Sequence, residues 1–438
     1  AQVYGKRKKK GASVNIGGKT INSDQIWDAL LQYGSLRVLA MNKHAALSNV
    51  TFGSFMNAIE GFANEHYSLK NYTKAKSLYT AGMIGMTQDL LARAPESKIG
   101  LLNEYFDVLQ EFDEYGNPMG NRQMALRGNT GALYFLMSSG EHMIQTQMGL
   151  ALMLNTKFQT SKGEVNLYDA YTVVNGRLEL DPEVEAQFDQ VQRAEFTEKM
   201  HAVYQRIHGI YNEKDKSALQ QYTAGRWAMQ FRKWARPGYL RRFRGIQNSF
   251  KPSDAELKES DEFYSADQKN HMEGYYISTV RFISKLVSDT REDGINISKS
   301  WKELTPKQQA GIRKTMMDVA LMTAVTIAYG IMEGDGDIDD EDIFLAYLLR
   351  RQMSELTTFA NPVEAFKIAQ TPTAAVGNLK QIFKTMNYMT PWSWGDRYKV
   401  GPYKGDLKLY HKSKRLLPRF KNNEDFKQSL DFLRTMNM

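Results

Sequence analysis

Apolar residues recur along most of this chain at intervals of three and four, the period that gathers them on one side of an α-helix. Ile26, Trp27, Leu30 and Leu31, followed by Leu36 and Leu39, predict a first helix with Ser23 as its N-cap. A second is predicted through Phe55, Ile59 and Phe62. A third runs from Tyr72 to Leu91, where Ala81, Gly82 and Gly85 leave room for a neighbouring backbone. Ile99 to Phe112 reads as a fourth, with Leu102, Tyr105, Phe106 and Leu109 on its apolar stripe. Turn-forming residues fill 113–131, and Leu133–Leu154 returns as a long, largely apolar helix. Asp181-Pro182 opens the next with an N-cap and a proline at the first helical position. Val184, Phe188, Val191, Phe196, Met200, Val203 and Ile207 carry its apolar face toward Tyr211. A basic, aromatic helix is expected to end at Pro237, helices resume over Tyr275–Ser288, and Thr305-Pro306 starts another long one.

One stretch departs from this period. Residues 165–180 alternate polar and apolar, and Asn175-Gly176 sits between β-prone flanks, the strongest short-range hairpin signal in the chain. The expected fold class is therefore mainly α: an elongated multi-helix assembly with one small β-hairpin near residues 165–180. Four segments are expected. They are a basic N-terminal arm (1–22), a helical block (23–160), a hairpin plus helical block with a basic aromatic segment (161–247), and a C-terminal helical block (248–438).

With 438 residues, 42% hydrophobic and 24% charged, the chain can bury a substantial core. It has no cysteine, which removes disulfides, Cys-ligated zinc, iron–sulfur clusters and thiol nucleophiles together. The chain starts on Ala1 with no apolar signal region behind its basic residues, so that end reads as processed. A net charge of +8, from 57 Lys and Arg against 49 Asp and Glu, is spread unevenly. It gathers in Lys6, Arg7, Lys8, Lys9 and Lys10, around 226–244, and over Lys408–Lys421. Such clusters suit nucleic acid, an anionic membrane surface or an acidic protein. In the second cluster Arg226, Arg232, Lys233, Arg236, Arg241, Arg242 and Arg244 alternate with Trp227, Phe231, Trp234, Tyr239 and Phe243. Guanidinium forks suit phosphate, and aromatics stack on bases or sit at a lipid interface. These residues and the N-terminal lysine run are the candidates for nucleic-acid or anionic-surface contact. The competing reading makes the aromatics core and pairs the arginines with acidic side chains of a neighbouring subunit.

Other motifs carry less. Ser13 to Thr20 approaches a phosphate-binding loop but has serine where glycine is required, and Ile21-Asn22 parts it from the next helix, so a turn is expected. Glu198 and His201 have the spacing of a bundle metal pair, yet no second Glu-x-x-His exists, and a hydrogen-bonded histidine is expected. Asp335, Asp337 and Asp339 are weak metal candidates in an acidic run with Asp340, Glu341 and Asp342. That run lacks the EF-hand glycine and glutamate, and is expected to be a solvated loop capping helix Ile343–Phe359. Residues 315–332 are nearly as apolar as a membrane span, interrupted by Asp318. Met316, Val319, Leu321, Val325 and Ile327 mark a helix that either meets a membrane or is buried. No Gly-x-Ser-x-Gly, His-Glu-x-x-His or Rossmann glycine pattern is present, so no catalytic residue, enzyme activity or cofactor is expected.

Between Leu167 and Arg244 several motifs follow in order. They are Leu167-Tyr168-Asp169-Ala170-Tyr171, Asn175-Gly176-Arg177-Leu178, His208-Gly209-Ile210-Tyr211, Gly225 to Trp234, Pro237-Gly238-Tyr239 and Arg241-Arg242. This stretch, under a fifth of the chain, resembles a segment of the very large virion proteins of crAss-like bacteriophages of gut Bacteroidota. The resemblance implies a cargo or ejection protein packaged in the capsid or tail and expelled with the genome into the host envelope or cytoplasm. Its implied partners are other virion proteins (portal, tail or cargo), in multiple copies, with phage DNA and the host membrane as further contacts. Some of these large proteins carry RNA polymerase modules. The polymerase core pattern is not present here, and Asp335-Gly336-Asp337-Ile338-Asp339 resembles its metal-binding aspartates only outside the required barrel. A fixed tail or portal-associated protein and a membrane conduit component are the rival readings.

Overall fold

Local signals start and stop the helices where side chains can replace missing backbone partners. The computed structural model describes residues 13–16, 19–22, 30–31, 33–34, 42–92, 95–108, 129–209, 222, 235–245, 247–248, 271–293, 297–334, 345–346, 348–350, 352–353 and 374–416. Helix α1 (Lys43–Ala63) begins where the Asn42 side chain accepts from the Ala45 N–H at 3.0 Å, and it stops at Asn64 in the left-handed region. Helix α2 (Leu69–Ala92) follows, and α3 (Lys98–Tyr105) starts on Ser97, whose hydroxyl accepts from Gly100 N. Helix α4 (Asn129–Asn155) closes the first group. α1, α2 and α4 pack on one another.

Two hairpins then stand in sequence. β3 (Lys157–Thr160) pairs with β4 (Gly163–Asn166), the single turn α5 (Leu167–Ala170) intervenes, and β5 (Tyr171–Val174) pairs with β6 (Arg177–Leu180). The second hairpin is the one expected at Asn175-Gly176. Both of its turn residues have positive φ, +50° and +74°, as a two-residue hairpin turn of this hand requires. Further ladders join β1 (Ser13–Ile16) to β2 (Lys19–Asn22) and β7 (Gln247–Asn248) to β8 (His271–Met272). The near-match to a phosphate loop is thus a hairpin, with Ile16 opposite Lys19.

The helix expected from Asp181 onward divides into α6 (Pro182–Glu185) and α7 (Gln190–His208). Asp189 and Gln192 form a reciprocal capping box that starts a new helix, while Phe188 turns into the core. α8 (Ala235–Phe243) does not end at Pro237 but contains it. The C-terminal helices are α9 (Tyr275–Asp293), α10 (Ile297–Lys302), α11 (Pro306–Gly334), α12 (Ala374–Asn387) and α13 (Lys408–Lys414).

The protein is mainly α-helical, and its strands form only two-stranded antiparallel ladders among the described residues. One apolar cluster runs from Met56 and Ile59 through Leu102, Phe106 and Met148 to Tyr171, Phe196 and Ile207, and it takes in Val325 of α11. Thus α11, distant in sequence, lies against α1 and α9. No helix among the described residues is long and apolar enough to cross a membrane.

Candidate functional site: buried charges on helix α11

Two charged side chains one turn apart on α11, Lys314 and Asp318, are enclosed, with 1% and 0% exposure. Each is met by partners from a different part of the chain. Lys314 Nζ stands 2.7 Å from Glu60 Oε1 of α1 and bonds Glu65 Oε2 in the following turn. Arg206 of α7 reaches Glu65 Oε1 at 3.4 Å, and His66 Nε2 lies 3.7 Å from both glutamates. Burial pushes the Glu65 carboxyl up, but Lys314 and Arg206 more than reverse this and hold it well below the usual carboxylate range. Glu60 is also lowered, with burial opposed chiefly by Lys314. His66 is lowered by burial and stays neutral. The cluster is therefore two carboxylates against two cations with no charge left over.

Asp318 anchors the second cluster. Arg242 of α8 donates to it through Nε at 3.1 Å and Nη2 at 3.3 Å, and the hydroxyls of Tyr275 and Tyr276 donate to Oδ2 at 2.7 and 2.8 Å. Four donors use the acceptor capacity of a carboxylate. Burial raises both tyrosines, Tyr276 to about 12, so each stays a donor. The Arg242 guanidinium also lies over both rings, 5.3 Å from Tyr275 and 6.0 Å from Tyr276. Phe243 meets Tyr276 edge-on at 5.3 Å.

These clusters place several of the sequence candidates. Arg242 is 1% exposed and Arg241 4% exposed, so both sit inside the fold rather than on an anion-facing surface. Arg241 approaches Met56 Sδ at 2.8 Å and the Tyr275 ring at 5.7 Å. Arg244 is partly exposed, and α8 includes Arg236, whose side chain lies outside the described set. Lys6, Arg7, Lys8, Lys9, Lys10, Arg226, Arg232 and Lys233 lie outside the described residues, as do Asp335, Asp337 and Asp339. On α11, Val325 is buried and Leu321 packs against the core, whereas Met316, Val319 and Ile327 are exposed. His201 donates from Nε2 to the Asp107 carbonyl at 2.8 Å, the hydrogen-bonded histidine that its sequence setting suggests.

Glu60, Glu65 and His66 were not singled out in the sequence, yet their ligand atoms come within 4.8 Å of one another, close enough to hold a metal ion. Lys314 fills that role already. Its fixed cation lies against both carboxylates, and a divalent ion there would meet its charge at contact distance. A recess bordered by Glu65, Arg206, Glu273, Lys307 and Lys314 opens beside the cluster. The arrangement joins α1, α7 and α11 through paired charges. In the sequence Asp318 stood out as a charge in an apolar helix and Arg242 as part of a basic patch, but nothing there paired the two. Comparison with protein-family models, curated proteins and solved structures finds no match for this chain.

Proposed function

We propose that the chain is a bacteriophage virion protein, a cargo or ejection protein carried in the capsid or tail and delivered with the genome into the host cell. The observation that carries this reading is the ordered run of motifs from Leu167 to Arg244 that resembles the large virion proteins of crAss-like phages. Its described parts are α5, the second hairpin, α6 and α7, and separately α8.

Physical features of the fold support delivery. Passage through a narrow conduit requires the chain to lose tertiary structure and regain it. No disulfide opposes this, since the chain has no cysteine. Every ladder among the described residues is a two-stranded antiparallel pair, and three of the four have two-residue connections that reform locally. Charged pairs share the junction between α11 and the first helices with apolar contacts. A buried ion pair adds little net stability over an apolar one, yet it specifies a single partner. Such a junction separates at modest cost and rejoins in one register. The reading places the protein with portal, tail or other cargo proteins, in several copies, and in contact with DNA or the host envelope during transfer.

Mass spectrometry of purified particles before and after triggered genome release tests it. The delivery reading expects the chain in intact particles and its loss from emptied ones. Retention in emptied shells makes it a fixed tail or portal-associated part, and its absence from particles removes the virion reading.

A further inference from the structure

The segment 374–416 carries seven lysines and two arginines against two aspartates, a net charge of +7 where the whole chain carries +8. The same segment exposes large apolar side chains. Trp392 is 88% exposed and Trp394 63%, with Phe383 at 64%, Val400 at 80%, and Met386 and Met389 each at 55%. Single exposed apolar residues are ordinary, but six within eighteen positions, in a strongly basic part of the chain, are a feature that needs a partner.

This surface is held in place from behind. Gln381 and Thr385 of α12 both donate to the Lys412 carbonyl on α13, which fixes the inner side of α12. At 100° per residue Phe383 and Met386 stand on the opposite side, turned away from α13. The loop between the helices is tied down by Lys408 N donating to the Asp396 carbonyl and by Arg397 Nη1 donating to the Gly405 carbonyl at 2.6 Å. Buried His411 donates to Asp406 Oδ2 at 2.7 Å and stacks on Tyr403 with centroids 4.1 Å apart. The exposed rings and thioethers are therefore presented by an ordered scaffold.

We propose that this face docks on an anionic lipid bilayer, with Phe383, Met386, Met389, Trp392, Trp394 and Val400 entering the interfacial layer and the lysines lying at the headgroups. Tryptophan prefers that layer, since its ring is apolar and its N–H remains wet. Lys380, Lys384, Lys399 and Lys404 are exposed and supply the attraction to anionic headgroups. Nucleic acid fits less well. Met386, Met389 and Val400 have no face on which a base can stack, and lysine outnumbers the arginine forks that grip phosphate. A second copy of the chain would bring the same positive charge against itself. The proposal stands on this surface alone and does not depend on the virion reading.

The test is co-sedimentation of the full chain with phosphatidylcholine vesicles, with and without phosphatidylglycerol, beside a single-stranded oligonucleotide binding assay. The expected result is binding to the anionic vesicles only. Trp392→Ala with Trp394→Ala should weaken it about tenfold or more, and Lys380→Gln, Lys384→Gln, Lys399→Gln and Lys404→Gln together should abolish the preference for phosphatidylglycerol. Because these side chains are exposed, circular dichroism should show an unchanged fold. No sedimentation with anionic vesicles overturns the proposal, as does binding that neither set of changes weakens. Variants that lose oligonucleotide binding while vesicle binding stands assign the surface to nucleic acid instead.

Discussion

Arg242 and Asp318, 76 positions apart, meet at 3.1 Å with side-chain exposures of 1% and 0%, and between them they join α8 to α11. Both residues stand out in the sequence for other reasons, one as part of a basic surface and the other as a polar fault in an apolar helix. Enclosed together, each removes the cost of the other.

Removing one partner leaves the other charge buried and uncompensated. Asp318→Ala strands the Arg242 guanidinium and two tyrosine hydroxyls. Arg242→Ala should cost a comparable amount, about 3–5 kcal/mol in either case. The double change Arg242→Met with Asp318→Leu should recover most of that loss. Urea unfolding followed by far-UV circular dichroism measures all three. Single variants within about 1 kcal/mol of the parent would show that the pair is not enclosed in solution.

Lys314→Met should reverse the sign of a pH response. In the parent, Glu60 and Glu65 are held below their ordinary value of 4.5, so their stabilising contribution is present above that value and is lost as pH falls through the lowered pKa. Without Lys314, burial dominates and pushes at least one carboxyl above 4.5. The variant should then gain stability as pH falls toward 4.5 and protonation removes a buried charge. Unfolding midpoints collected from neutral pH downward for both proteins decide it, and parallel curves would contradict the assignment.

Two other histidines set an acid limit on the fold. His142 is pushed to about 4 by burial, and His208 to about 3 by burial aided by the nearby Arg241. Both are neutral in the folded protein and ordinary, near 6.5, once unfolded. Their contribution is complete above that value and is lost as pH falls below it, at up to about 1.4 kcal/mol per pH unit for each. Glu141, raised by burial, acts in the opposite sense above 4.5 and offsets part of the slope. Replacing both histidines by glutamine should flatten the dependence between about pH 6.5 and about pH 4.5. An unchanged slope would place the acid transition elsewhere.

Gly274 lies where α9 begins against the end of α8. A Cβ built there would come within 2.5 Å of the Arg242 carbonyl oxygen and 2.6 Å of Arg244 N, both backbone atoms that cannot swing aside. Gly274→Ala should therefore separate α8 from α9 and cost about 1–3 kcal/mol, the range for overpacking. Thermal unfolding of the variant checks this, and a neutral or stabilising result would mean that α9 does not start against α8.

Sequence alone determined the elements. Apolar residues at intervals of three and four make helices wherever a buried face is available, and Asn175-Gly176 sets a hairpin because few other dipeptides take positive φ at both positions. Asp181-Pro182 likewise marked a helix start. Local chemistry was also where the reading was coarse. The capping box at Asp189 divides a helix that the apolar stripe alone runs together, and Pro237 lies within α8 instead of closing a helix. Tertiary structure decided the fate of the charges. Glu60, Glu65, Arg206 and Lys314 are ordinary charged residues in sequence, and neither Arg242 nor Asp318 shows its partner there, since nothing local distinguishes a solvated carboxylate from an enclosed one. Burial becomes tolerable only when a partner from a remote helix arrives within about 3 Å, and that partner is set by packing, not by spacing along the chain.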